Sequence, residues 1–258
     1  MSEPQFAPIG HFCWPELATT DIAAAKAYYG TLFGWSAFDV PSAMGNYTIF
    51  RAGDLDAAAG YQMGPQQSAP PHWNSYVVVE SADRSCARAQ ELGAQVLMAP
   101  TDIPDVGRMA FMRDPDGASL ALWQSGKHRG AGLFGRPGGL CWTELYSRDT
   151  AASIAFYTAL FGWRAVTKND FGMTYTEFHA GEAPIGGMMG MEGPEWEGVP
   201  SAWMPYIAVK DADEAAAALA RMGGVCLVPP KDIPTVGRFG VAKDPQGAVI
   251  AFIKLLER

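Results

Sequence analysis

The sequence predicts an α+β chain of two tandem domains, each made of two βαβββ modules. Three observations carry that prediction: a long internal repeat, matching helix-cap signals in the two copies, and turn-rich breaks at corresponding places. Residues 12–35, FCWPELATTDIAAAKAYYGTLFGW, align without gaps on residues 140–163, LCWTELYSRDTAASIAFYTALFGW, with 13 of 24 positions identical. Residues 102–124 align in the same way on 232–254, with 11 of 23 identical. The offsets, 128 and 130, make one unit half the chain. With 258 residues, 48% of them hydrophobic, there is enough apolar material for two cores.

Taken in order, residues 12–18 read as a strand, and Asp21 is a good N-cap for an alanine-rich helix that runs to about Phe33 and stops at Gly34. Strand-like runs at 35–40, 47–51 and 57–63 complete βαβββ. The order then repeats, with a strand at 74–79, a helix at 82–92 and strands near 95–98, 108–113 and 118–124. Asp114-Pro115-Asp116-Gly117 reads as a hairpin turn, as does Asp244-Pro245-Gln246-Gly247 in the other half. These signals predict a first domain at 1–125 (modules about 9–63 and 72–125) and a second at 137–258 (modules about 137–191 and 201–258). Residues 126–136, rich in glycine and without periodicity, read as a linker between them.

Charge narrows the partners. A net charge of -8 and a pI near 5.0, with no Lys/Arg cluster, argue against nucleic acid and anionic membrane surfaces. The N-terminus, from Met1 and Ser2 to Pro4, lacks a basic segment followed by an apolar one, and no apolar run reaches membrane-spanning length. A cytoplasmic protein is therefore expected. Cys13, Cys86, Cys141 and Cys226 form no CxxC pair and read as buried thiols. His11, His72, His128 and His179 have no counterparts in the other half; His128 falls in the linker, and His11 and His72 precede opening strands and could meet.

Asp21 with Tyr28-Tyr29 and Leu32-Phe33-Gly34-Trp35, followed by the DPDG turn and an alternating last strand, resembles the vicinal oxygen chelate superfamily (glyoxalase, bleomycin resistance, extradiol dioxygenase). Asp149, Phe156-Tyr157, Leu160-Phe161-Gly162-Trp163 and DPQG repeat the pattern, so the resemblance covers nearly the whole chain. It implies that paired modules form a curved, mainly antiparallel sheet with helices on the convex side and a ligand cavity on the concave side. It also implies an intrachain pseudo-dimer, which favours a monomer. Metal-dependent members of the family place His, Gln or Glu at four cavity positions. Here those positions fall on Trp14, about Gly60, Asn74 and Ala121 in the first half, and on Trp142, about Gly187, Met204 and Ala251 in the second. An indole or a methyl supplies no donor to a divalent ion, so neither metal nor cofactor is expected.

Strand alternation carries the site further. If Trp14 faces the cavity, Phe12 and Glu16 share its face while Cys13 and Leu17 pack behind; the repeat gives Trp142 and Glu144 inward, with Cys141 and Leu145 behind. Tyr76, Tyr206 and Trp123 join the wall by the same counting, and Tyr47 and Tyr175 recur at one offset. Glu16 and Glu144 suit either general bases with pKa raised by burial or structural carboxylates held by an ion pair or strand-end hydrogen bond. Arg108 and Arg238 suit either an anionic ligand or local pairs with Asp102 and Asp232. The expectation is metal-independent binding of a small, partly apolar organic metabolite, with proton transfer by Glu16 or Glu144, in detoxification or specialised metabolism. A non-catalytic binder for resistance or sensing, and a metal-dependent glyoxalase-like lyase, are the alternatives.

Overall fold

The computed structural model describes residues 3–42, 45–170 and 173–256; Met1 and Ser2, part of the N-terminus read above, lie outside them. The first half runs β1 (Phe12–Thr19), α1 (Ile22–Phe33), β2 (Ser36–Ser42), β3 (Gly45–Ala52), β4 (Leu55–Gln62), β5 (His72–Val78), α2 (Ala82–Glu91), β6 (Gln95–Ile103), β7 (Gly107–Arg113) and β8 (Ser119–Ser125). The second repeats it as β9 (Leu140–Ser147), α3 (Thr150–Phe161), β10 (Arg164–Asp170), β11 (Met173–Ala180), β12 (Ala183–Gly190), β13 (Ala202–Ala208), α4 (Ala212–Arg221), β14 (Val225–Ile233), β15 (Gly237–Lys243) and β16 (Val249–Leu255). Each half is one curled eight-stranded sheet, ordered β2-β3-β4-β1-β5-β8-β7-β6 and β10-β11-β12-β9-β13-β16-β15-β14. The opening strand of each module pairs in parallel with its fourth, and the two opening strands meet antiparallel at the centre.

The capping signals act as expected. Asp21 accepts from the Ala24 amide at 2.9 Å, Asp149 from Ala152 at 2.9 Å, and Gly34 and Gly162 end their helices at φ 70° and 69°. Among the described residues, no helix is long and apolar enough to cross a membrane.

The helix-covered faces of the two sheets pack against each other, α1 on α4 and α2 on α3, so one continuous apolar core spans both halves. Reciprocal polar contacts lock this junction. Tyr29 donates to Asp244 Oδ2 at 2.9 Å and Tyr157 to Asp114 Oδ2 at 2.7 Å. Trp73 and Trp203 in turn donate to those tyrosine oxygens, at 3.1 and 2.7 Å. Trp35 donates to the Gly138 carbonyl and Trp163 to that of Gly10, both at 2.8 Å. The two hairpin-turn aspartates thus do more than turn the chain: each accepts amides of its own turn and a buried tyrosine of the opposite half.

One expectation about strand faces fails. A bulge between Phe12 and Trp14, matched by one between Leu140 and Trp142, inserts an extra residue into each opening strand. Phe12 is thereby turned to the junction, where it packs on Trp163 and Trp203, while Cys13 joins Trp14 on the concave side and Cys141 joins Trp142 there. Counting in twos cannot see an inserted residue. Leu17 and Leu145 lie on the helix side, as expected.

Candidate functional site

The first concave face centres on Glu16. In the β1–β5 pair Glu16 stands opposite Asn74, and Trp14 opposite Tyr76, which brings four predicted residues together. Tyr47 reaches them from β3 across β4, where the small Ala59 stands opposite Glu16. Tyr47 donates to Glu16 Oε2 at 2.6 Å; Tyr76 and Asn74 donate to Oε1 at 2.8 and 3.3 Å. Trp14 Nε1 donates to the Tyr47 oxygen at 3.1 Å. Burial raises the Glu16 pKa, and the Tyr47, Tyr76 and Asn74 hydrogen bonds pull it partly back. The fourth-strand position assigned to about Gly60 belongs to Ala59: Gly60 lies opposite Leu17, and a Cβ there would meet Ile22 and Phe50 on the helix side.

This face is covered by the segment between the domains. The His128 ring packs on Trp14 (centroids 4.6 Å apart) and Trp123 (5.8 Å), and its carbonyl accepts from Trp123 Nε1 at 3.2 Å. The Ala131 amide bonds the Cys13 carbonyl and the Gly132 amide that of Asp56, both at 2.8 Å. Gly130, at φ 97°, passes so close to Cys13 that a Cβ would sit 2.7 Å from its carbonyl oxygen. The glycines read as spacer residues therefore allow close packing. Trp123, predicted as ligand wall, is wall to this segment, and Ala121 lies beneath it.

The second concave face centres on Glu144. Tyr175 donates to Glu144 Oε2 at 2.5 Å, and Trp142 Nε1 lies 3.0 Å from the Tyr175 oxygen and 3.3 Å from Glu144 Oε2. Met204 stands opposite Glu144 where the first face has Asn74, and Tyr206 stands opposite Trp142. Burial raises the Glu144 pKa, against the pull of Tyr175, Trp142 and Tyr206. Gly187, also opposite Glu144, has no room for a side chain: a Cβ there would lie 1.9 Å from the Tyr175 oxygen. The tyrosine fills the place of a ligand side chain.

Sequence reasoning missed Tyr146, whose hydroxyl lies 3.3 Å from that of Tyr206, and Trp196, whose ring lies over Tyr146 with centroids 5.2 Å apart. Tyr146 is two residues beyond Glu144, so continuing the alternation would have found it. Trp196 sits in a one-turn 3-10 helix at Pro194–Trp196, anchored by Arg148, which donates to the carbonyls of Trp196 and Val199; nothing local in the sequence signals it.

Both glutamates meet neutral donors only, so the ion-pair explanation is withdrawn: no described salt bridge involves either. Arg108 and Arg238 make the local pairs, to Asp102 and Asp232 at 2.8 and 3.0 Å, and also grip Asp83 and Asp213 in the first turns of α2 and α4. His11 and His72 do not meet, because antiparallel pairing puts them at opposite ends of β1 and β5.

A divalent ion would find one carboxylate on each face, ringed by indoles, tyrosines and methyls. Among the described residues, no three His, Cys, Asp or Glu side chains come together in a way that could hold a metal. A donor set of that kind does not fit an ion needing several N, O or S ligands.

The geometry can be set beside known proteins. The sequence model of the Glyoxalase/Bleomycin resistance protein/Dioxygenase superfamily matches residues 9–122 and again 139–252. The chain is 41% identical over 246 residues to a putative glyoxylase, CFP32, of Mycobacterium tuberculosis, covering 93% of each. It is 34% identical over 270 residues to the anthracycline biosynthesis protein DnrV of Streptomyces peucetius, covering 98% of this chain and 96% of that one. In structure it resembles the Mn(II)-bound glyoxalase of Novosphingobium aromaticivorans, with a TM-score of 0.65 and 16% identity over 96% of this chain and 83% of that one. It also resembles a homoprotocatechuate 2,3-dioxygenase of B. fuscum, with a TM-score of 0.66 and 14% identity over 99% and 73%.

Proposed function

This chain belongs to the glyoxalase/bleomycin resistance protein/dioxygenase superfamily, and from that premise we propose that it binds a small, partly apolar organic molecule on a concave, aromatic-walled face without using a metal. The observation that carries the reading is the pair of Trp–Tyr–Glu clusters, each a carboxylate buried among hydroxyl donors and in no described salt bridge. Burial raises the pKa of such a carboxylate, which makes it a better proton acceptor than an exposed one. Glutamate would take a proton from a carbon next to a substrate carbonyl. The C–H electron pair would pass into the enolate, whose oxygen accepts from a tyrosine hydroxyl, and return of the proton at another carbon would give an isomer.

A second reading, a binder without turnover, is favoured by one observation: Tyr47, Tyr76 and Asn74 already occupy both oxygens of Glu16. The names of the relatives, a glyoxylase and an anthracycline biosynthesis protein, are consistent with small-molecule work under either reading. Two measurements test the proposal. Native mass spectrometry of freshly purified protein is expected to reveal a retained organic molecule, and elemental analysis no stoichiometric transition metal. One tightly held zinc, nickel, manganese or iron per chain, lost together with activity on chelation, would restore the metal-lyase alternative. Glu144→Gln is expected to abolish turnover if the protein is an enzyme, and to leave affinity within a few-fold if it is a binder.

A further inference from the structure

We infer that the two faces have divided their roles: only the second is a ligand site, and it takes a flat aromatic molecule carrying a negative charge. This rests on the small-molecule reading above and adds which face is used and what the ligand must carry.

The first face is finished with protein. His128 packs against Trp14 and Trp123, Ala131 is fully buried in the same cluster, and the segment holding them is fixed by backbone bonds to Cys13 and Asp56. Trp14 and Trp123, on which the His128 ring packs, are 4% and 5% exposed. To admit a ligand, the segment would have to break those bonds and expose two indole rings to water, which is unfavourable. Glu16 is saturated as well, with donors on both oxygens.

The second face has a different finish. Its apolar cluster is built from strand residues, Trp196 of the 3-10 turn lies over Tyr146 at one side, and Trp142, Tyr146 and Phe239 remain partly exposed. Met204 replaces the asparagine, so Glu144 has the tyrosine partners Tyr175 and Tyr206 but lacks the amide donor that Glu16 has in Asn74. Broad, partly exposed rings are a surface that a flat apolar molecule covers well.

The charge follows from Lys231. Its ammonium lies 5.2 Å from the centre of the Phe239 ring, which itself packs 6.2 Å from Tyr206, so the lysine stands at the rim of this face. The nearby Asp232 and Asp213 are taken by Arg238, and no described salt bridge involves Lys231. Residue 101, at the corresponding register of the first face, is a threonine: Thr101 pairs with Met109 as Lys231 pairs with Phe239. A cation at the aromatic rim of one face and absent from the other selects an anion at the ligand's outer end.

Two fluorescent probes of similar shape test this in the intact chain: 8-anilinonaphthalene-1-sulfonate, which is anionic, and N-phenyl-1-naphthylamine, which is neutral. The anionic probe is expected to bind one per chain. Lys231→Gln should weaken it at least fivefold while changing the neutral probe less than twofold; Lys127→Gln, on the segment covering the first face, should change neither. Trp142→Leu should weaken both, with a thermal melt to confirm folding. Two anionic probes per chain, or equal effects of Lys127→Gln and Lys231→Gln, would overturn the division between faces. Tight neutral binding insensitive to Lys231→Gln would overturn the anionic class while leaving small-molecule binding intact. Binding of neither probe, with no molecule retained on purification, would instead count against the reading on which this one rests.

Discussion

Removing one oxygen atom at the junction should unfasten both halves. Tyr29→Phe keeps a ring that is fully buried and packs on Phe33 and Trp73, so apolar contact is preserved and only the hydroxyl is lost. That hydroxyl donates to the Asp244 carboxylate at 2.9 Å and accepts from Trp73 Nε1 at 3.1 Å. A hydrogen bond to a charged acceptor contributes about 1.5–3 kcal/mol, and a stranded buried donor costs about 1–3 kcal/mol, which together give a loss of about 2.5–6 kcal/mol. At about 2–4 °C per kcal/mol for a chain of this size, the melting temperature should fall by about 5–24 °C. The neighbouring Tyr28 supplies the control, because its buried hydroxyl has no hydrogen-bond partner. Tyr28→Phe should therefore be neutral or slightly stabilising. Denaturant unfolding followed by tryptophan fluorescence reads both variants. Equal stabilities for Tyr29→Phe and Tyr28→Phe would refute the reasoning, as would a Tyr29→Phe transition that splits and leaves one half at wild-type stability.

Two further outcomes follow from the site. Glu16 and Glu144 have folded pKa values raised above those of the unfolded chain, so each binds its proton more tightly when folded. Their contribution to stability is fully present below the unfolded carboxylate pKa of about 4.3 and is lost as pH rises through the folded values. Stability should thus decline with rising pH across that window, and Glu16→Gln should flatten the decline; a wild-type profile unchanged by the substitution would contradict the burial argument. Gly187→Ala forces a methyl against the Tyr175 hydroxyl and should cost about 1–3 kcal/mol, measured by denaturant titration, with Tyr175→Phe in the same chain recovering part of the loss.

Much of this was legible in the sequence because it is local or periodic. Caps need one side chain and one amide, so Asp21 and Asp149 announced their helices, and gap-free repetition announced the two sheets. Alternation brought Trp14, Glu16, Asn74 and Tyr76 to one cluster, and Trp142, Glu144, Met204 and Tyr206 to another. What failed depends on insertions and on distance. The bulges at Cys13 and Cys141 break the period of two, so Phe12 was assigned to the wrong face. Without an anchor in β4, the fourth-strand position is readable only as about Gly60, and strand pairing puts Ala59 there. The DPDG and DPQG aspartates look like turn residues because their other partners, Tyr157 and Tyr29, are 43 and 215 positions away. Residues 126–136 have a linker's composition, and composition does not reveal what such a stretch lies upon.

That stretch leaves the end of β8 and crosses the sheet it has just completed before bridging, at Phe134, to Leu140 of the next. A connector adjoins both sheets but can lie on only one, and here its backbone bonds tie it to the first, at Cys13 and Asp56. Two identical copies joined head to tail by such a connector would already be unequal before a single substitution separated them. Under the division of roles proposed above, the half beneath the connector is released from recognition and keeps its tryptophan, tyrosines and glutamate as a floor for the connector. Its sister is, under the same proposal, the half on which selection for a ligand can act. Covalent order, in this fold, is itself a source of asymmetry.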